Sequence, residues 1–156
     1  MERTLIILKP DAIQRALVGR IITRFEEKGL QIAGMKLVMI SEEMAAKHYA
    51  PHQGKPFYEK LVRFMTSSPV VVMAIQGKGA IEVCRKMMGA TFGFKAEPGT
   101  IRGDYGVSSS FNLIHGSDSA ESAKAELELW FRPEELTTYD LANRVWTYDF
   151  SAGNPE

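Results

Sequence analysis

Thr4-Leu5-Ile6-Ile7-Leu8-Lys9-Pro10-Asp11 sets the reading of the fold. β-Branched and apolar residues run unbroken from Thr4 to Leu8, as in a buried strand. Lys9-Pro10-Asp11 stops it. Pro10 suits the first turn of a helix, and Ile13, Leu17, Ile21, Ile22 and Phe25 keep helical spacing up to Gly29. Working outward, Gln31 to Ile40 alternates as a second strand. Ser41-Glu42-Glu43 opens a short helix with an acidic first turn, reaching about Tyr49 before Pro51 breaks it. Pro56 to Met65 is helical, Pro69 to Ile75 a third strand, and Gly79 to Met88 a helix stopped by Gly89. Ala90 to Ser110 shows little periodicity and reads as a long ordered loop, a feature that in compact domains usually serves function. Phe111 to His115 is the fourth strand. Asp118 and Glu121 resemble a capping box for a helix to Phe131. The order β-α-β-(αα)-β-α-loop-β-α predicts the α+β class. The architecture is a ferredoxin-like α/β sandwich, with helices packed on one face of a four-stranded antiparallel sheet.

The bulk composition narrows the function. A chain of 156 residues is expected to form one domain, burying roughly two-thirds of its unfolded surface. Its last twenty residues, 137–156, carry Trp146, Tyr148 and Phe150 and are expected to lie on the body or on a neighbouring subunit. Nineteen basic and nineteen acidic residues cancel, so no global field favours nucleic acid or an anionic membrane. Cys84 is the only cysteine, which excludes an intramolecular disulfide and suits a reducing compartment. No apolar run approaches the ~20 residues of a spanning helix. Met1-Glu2-Arg3-Thr4 leads straight into a strand, so no signal peptide is expected and a cytoplasmic location is.

Chemistry concentrates in Asn112-Leu113-Ile114-His115-Gly116-Ser117-Asp118. His115 ends an apolar run and is followed by small residues, an arrangement that suits a nucleophile, a general base or a metal ligand. Glu126, on the next helix, shares a face with Ser122 and is placed to hydrogen-bond one imidazole nitrogen. Lys9 at a strand end, Arg85 on a helix and Arg102 between glycines supply cations that can converge on an anion. No glycine-rich phosphate loop is present, so side chains must hold any phosphate. His48 and His52 flank Pro51 in a polar turn and read as surface residues. Tyr49 and Phe57 are ordinary core aromatics unless one ring is exposed and free to stack on a base.

These residues resemble the nucleoside diphosphate kinase family, whose active-site signature is N-x-x-H-G-S-D. The resemblance runs through Lys9-Pro10-Asp11, Arg24-Phe25-Glu26, His48-Tyr49, Lys55-Pro56-Phe57, Ser68-Pro69-Val70-Val71, Pro98 to Asp104 and Trp130 to Leu136. It implies ping-pong transfer of a γ-phosphoryl group through a phosphohistidine at His115, with Glu126 orienting the ring. By the same resemblance Lys9, Tyr49, Arg85, Thr91, Arg102 and Asn112 hold phosphates and ribose, with Lys9 also catalytic, and Phe57 stacks on the base. Mg²⁺ arrives on the phosphates of ATP or another nucleotide, with no protein metal site. Family members form hexamers or tetramers from similar dimers, and the tail through Trp146-Thr147-Tyr148-Asp149 resembles that of hexameric members, so a homohexamer is expected. Ala90-Thr91-Phe92-Gly93 departs from the usual Glu-Thr-Asn-Pro, and Ser109 stands where many members carry valine. The lost proline is expected to loosen the loop. Two other readings compete. One is a phosphohistidine carrier or regulatory nucleotide-binding module without turnover, which needs His115 but not the full nucleotide set. The other is a ferredoxin-like RNA-binding domain, which usually shows aromatic motifs that Thr4–Leu8 and Val70–Ile75 lack.

Overall fold

The computed structural model describes residues 1–155. Its four strands are β1 (Glu2–Leu8), β2 (Gln31–Val38), β3 (Val70–Gly77) and β4 (Ile114–Gly116). They form one antiparallel sheet in the order β2-β3-β1-β4. The ferredoxin-like α+β expectation holds.

One detail of it does not. Helices cover both faces of the sheet rather than one. Ile6, Leu8, Met73 and Ile75 pack against Ile21 and Phe25 of α2 (Val18–Glu27) and Cys84 and Met88 of α5 (Ala80–Met88). Leu5, Ile7, Val72 and Ala74 pack against Ala45 of α3 (Glu42–His48), Met65 of α4 (Tyr58–Met65) and Trp130 of α7 (Ala120–Trp130). Successive residues of a strand point to opposite faces, so the unbroken apolar runs of β1 and β3 require burial on both.

The helix that opens with Pro10 is two helices, α1 (Pro10–Gln14) and α2. Ala16 adopts a left-handed φ of 53°, which ends α1 despite the continuing apolar spacing. The long loop contains a second unanticipated element, α6 (Ile101–Tyr105), capped by Thr100, whose Oγ1 accepts from Gly103 N. The missing proline leaves this segment tied down by other bonds. Arg24 pairs with Asp104 and donates to Gly99 O at 2.9 Å, and Arg15 donates to Tyr105 O at 2.6 Å. Helix α7 is capped by Ser119, whose Oγ accepts from Ser122 N, and not by Asp118. The remaining helix, α8 (Arg144–Thr147), belongs to the tail. The tail runs along β2: Thr137 N donates to Ala33 O at 2.7 Å and Tyr139 Oη to Ile32 O at 2.8 Å. No helix of the described residues is long and apolar enough to cross a membrane.

Candidate active site

His115 sits on β4 directly opposite Ile7 of β1. Cross-strand partners share a face, so the imidazole points to the side covered by α3, α4 and α7. Two features frame this end of the strand, one on each face. Gly116 lets Met88 approach so closely that a Cβ there would stand 2.6 Å from its sulfur. Glu126 lies on α7 seven residues after the Ser119 cap, two turns along, and faces the strand.

The Glu126 carboxylate meets His115 Nε2 at 2.6 Å. Burial alone would raise the Glu126 pKa, but the hydrogen bond and charge of His115 outweigh it and hold the group below its ordinary value. An ionised Glu126 makes Nε2 the protonated nitrogen and leaves the Nδ1 lone pair free. The His115 side chain remains 26% exposed, so that nitrogen is reachable.

His48 is no surface residue. Its side chain is 3% exposed and its ring stands edge-on to His115 at 4.9 Å. Trp130 Nε1–H donates to His48 Nδ1 at 3.0 Å. Burial, reinforced by the neighbouring His115, pushes the His48 pKa down to about 4. The ring is therefore neutral at pH 7, and its 3.7 Å approach to Glu126 is not an ion pair. Sequence reading missed it because the surrounding turn is polar; the indole that buries it lies 82 residues away.

His48, His115 and Glu126 bring ligand atoms within 4.8 Å of one another, the raw material of a metal site. Hydrogen bonds already engage one ligand atom of each. The indole N–H takes the His48 Nδ1 lone pair, and the Glu126 oxygen accepts from His115.

The cations gather on the residues that flank His115. Lys9 follows β1 and donates from Nζ to Asn112 Oδ1 at 2.7 Å. Burial, with the Arg102 charge beside it, lowers its pKa to about 8. Asn112 Nδ2 donates to Thr91 O at 2.9 Å, tying the long loop to the same cluster. Arg85 donates to Gly116 O at 3.2 Å from the exposed face of α5. Arg102 is not in a loop but on α6, and it is 5% exposed. Its guanidinium donates to Gly89 O, Asn112 O and Ile114 O at 3.0, 3.2 and 2.6 Å. Burial, with Arg85 nearby, lowers its pKa to about 10 and leaves it charged at pH 7.

Tyr49 ends α3, with its ring 4.6 Å from His48. Its buried hydroxyl has no protein partner, and burial with the Glu126 charge raises its pKa. His52 links it to Phe57: ring separations are 6.4 Å and 5.4 Å. Phe57 is 48% exposed, so a line of rings leads from His115 out to an accessible aromatic face. All nine singled-out residues thus join one cluster. Ser117 belongs with them. It is 1% exposed, accepts from Leu5 N at 3.3 Å through Oγ, and hydrogen-bonds Glu126. A cavity of about 540 Å³ lined by Arg3, Gln31, Gln76 and Arg144 lies at the opposite end of β1 and shares no residue with this cluster.

The arrangement comprises a carboxylate-oriented imidazole, buried cations beside it and an aromatic face at its mouth. It can accept a phosphoryl group from a base-bearing polyphosphate. The sequence model of the nucleoside diphosphate kinase family matches residues 2–136. A nucleoside diphosphate kinase of Pyrococcus furiosus is 56% identical over 151 residues, 95% of this chain and 93% of that protein. One from Carboxydothermus hydrogenoformans is 54% identical over 149 residues, 96% of this chain and all of the other. Among solved structures, the nucleoside diphosphate kinase of Halobacterium salinarum in complex with CDP superposes with a TM-score of 0.93. It is 47% identical, covering 95% of this chain and 99% of that one.

Proposed function

The chain belongs to the nucleoside diphosphate kinase family, and from that premise we propose that His115 Nδ1 is the nucleophile of its phosphoryl transfer. The enzyme is a phosphotransferase that moves the γ-phosphoryl of a nucleoside triphosphate to a nucleoside diphosphate. The contact that carries the assignment is His115 Nε2 on Glu126 at 2.6 Å, because it fixes the tautomer with its free lone pair on Nδ1.

In the first half-reaction Nδ1 attacks the γ-phosphorus of the triphosphate. The N–P bond forms as the bond to the β–γ bridging oxygen breaks, and the diphosphate leaves with that electron pair. In the second half a different diphosphate attacks the phosphohistidine, and the same nitrogen leaves. Glu126 holds the ring and stabilises the positive charge it gains. Phosphoryl transfer asks a protein mainly for position and charge. Lys9, Arg85 and Arg102 supply positive charge beside the phosphates, Tyr49 a hydroxyl, and Asn112 and Thr91 further hydrogen bonds to phosphate and ribose. Phe57 stacks on the base, and stacking is tolerant of base identity because every base has a π-face. The CDP held by the Halobacterium relative is a ligand of this kind. Mg²⁺ enters as part of the substrate, on phosphate oxygens, since the one carboxylate beside His115 is engaged by the ring. We further propose a single domain, a cytoplasmic location consistent with the free thiol of Cys84, and a homohexamer with a tetramer as the alternative.

The test is a chase. Protein incubated with γ-labelled ATP and Mg²⁺ is expected to carry acid-labile, base-stable label that GDP removes as GTP, and His115→Ala is expected to carry none. Label that forms without moving would identify a carrier. Normal exchange by His115→Ala would overturn the assignment.

A further inference from the structure

The sequence predicts a strand from Phe111, yet β4 begins only at Ile114. Leu113 interrupts it with φ of 71°. Ile114 N donates to Asn112 O at 2.8 Å, two residues back, so Leu113 is the centre of a positive-φ γ-turn. Leucine occupies this conformation rarely, and such strain persists only where the surroundings enforce it.

The enforcement is visible on every side. Asp11, on α1, accepts from Leu113 N through Oδ2 at 3.0 Å. Lys9 N donates to Leu113 O at 2.8 Å. Arg102 donates to the carbonyls of Asn112 and Ile114, the residues on either side. The Leu113 side chain is fully buried.

The turn matters because β4 is only three residues long and cannot fix its own register. A slip of one residue along β1 would send His115 to the opposite face, away from Glu126 and His48. The turn also aims two groups apart. Asn112 faces Lys9 and Thr91, while His115, three residues on, enters the sheet opposite Ile7.

We propose that Asp11 is a positioning residue for phosphoryl transfer, holding Leu113 N–H so that the γ-turn it shares with Arg102 sets the register of β4 and the aim of His115. The inference rests on His115 being the nucleophile. Asp11 acts through the Leu113 N–H that it holds and makes no hydrogen bond to His115.

The experiment compares Asp11→Ala with Asp11→Asn, measuring kcat, KM for the diphosphate and melting temperature, with the parent protein in the same assay. Asparagine keeps an oxygen acceptor for Leu113 N–H and removes the negative charge as alanine does. A misplacement of about 1 Å costs about 100-fold in rate. Asp11→Ala is expected to lose about that factor in kcat, with KM changed less than about threefold. Asp11→Asn is expected to stay within about fivefold of the parent, even where its unpaired NH₂ group lowers the melting temperature. A merely structural role would instead rank activity by stability. The inference falls if folded Asp11→Ala turns over normally, or if Asp11→Asn loses as much as Asp11→Ala. If the alanine variant does not fold, an amide-to-ester replacement at Leu113 deletes the same hydrogen bond with Asp11 intact. Loss of kcat there sustains the inference, and parent-like kcat overturns it. A parent protein that does not exchange phosphoryl groups would sink the functional reading instead, which keeps the two failures apart.

Discussion

Lys9 carries its charge where burial penalises it, and that has a consequence for pH dependence. Its pKa stands at about 8 instead of 10.5. In the free enzyme, raising the pH through 8 removes the cation proposed to sit beside the phosphates. The ratio kcat/KM, which reports the free enzyme, is expected to fall toward tenfold per pH unit above about 8. Stability responds with the opposite sign. Between pH 8 and 10.5 the unfolded chain binds the Lys9 proton and the native one does not, so this group makes folding more favourable as pH rises. Titrating kcat/KM and melting temperature together separates the two effects. A rate limb near pH 8 without a parallel fall in melting temperature identifies Lys9, and Lys9→Met is expected to flatten that limb at a low plateau. A limb that survives in Lys9→Met would assign it to another group. The placement of this residue is legible in the sequence, where a lysine follows a buried strand. Its depressed pKa is not, because that comes from burial by distant segments and, second, from the Arg102 charge.

At the level of elements, Arg102 pins together the end of α5, the first residue of the γ-turn and the start of β4 through three carbonyls. A glycine-flanked arginine in a segment without periodicity reads as a free phosphate ligand. The sequence does not reveal that α6 forms there, since a five-residue helix leaves no periodic signature. The two faces of the sheet follow the same logic. The solid apolar runs of β1 and β3 require burial on both sides, while the ferredoxin-like reading of the βα order put the helices on one face. Truncating Arg102 should therefore do two things. Arg102→Ala is expected to weaken nucleotide binding and also to destabilise the fold. Hydrogen bonds to charged groups contribute about 1.5–3 kcal/mol each, and leaving three carbonyls without their donor costs about 3–5 kcal/mol in total once water re-enters. For a chain of this size that lowers the melting temperature by about 6–20 °C. Urea unfolding with and without a nucleoside diphosphate measures both. A variant as stable as the parent but poor in binding would restrict Arg102 to phosphate contact.

For the molecule as a whole, β2 is an edge strand, and its outer end is uncovered. Met35 and Leu37 on it and Met39 just past its end keep the alternation and are 53, 65 and 59% exposed. In sequence these residues are indistinguishable from those of a strand buried by helices, because alternation fixes a face and says nothing about what lies against it. The register shows the reason. Met35 and Leu37 pair with Met73 and Val71, on the face that α2 and α5 cover nearer the centre but leave bare at this edge. The opposite face at this edge is closed by Lys36 and Glu135, joined at 3.0 Å. A strand edge with an apolar stripe invites pairing with another chain unless something blunts it, and nothing charged stands on this stripe. The proposed homohexamer supplies a covering, with β2 as a contact between protomers. Leu37→Glu places a charge in that contact and, at 65% exposure, does not disturb the core of the single chain. Light scattering is expected to show the variant as monomers or small assemblies. Its melting temperature is expected to fall below the parent's and to depend less on protein concentration, since assembly stabilises the native state by mass action. A Leu37→Glu protein of undiminished mass would remove β2 from the interface and direct the search to the exposed aromatics Phe92 and Phe94, whose rings lie 6.1 Å apart on the long loop.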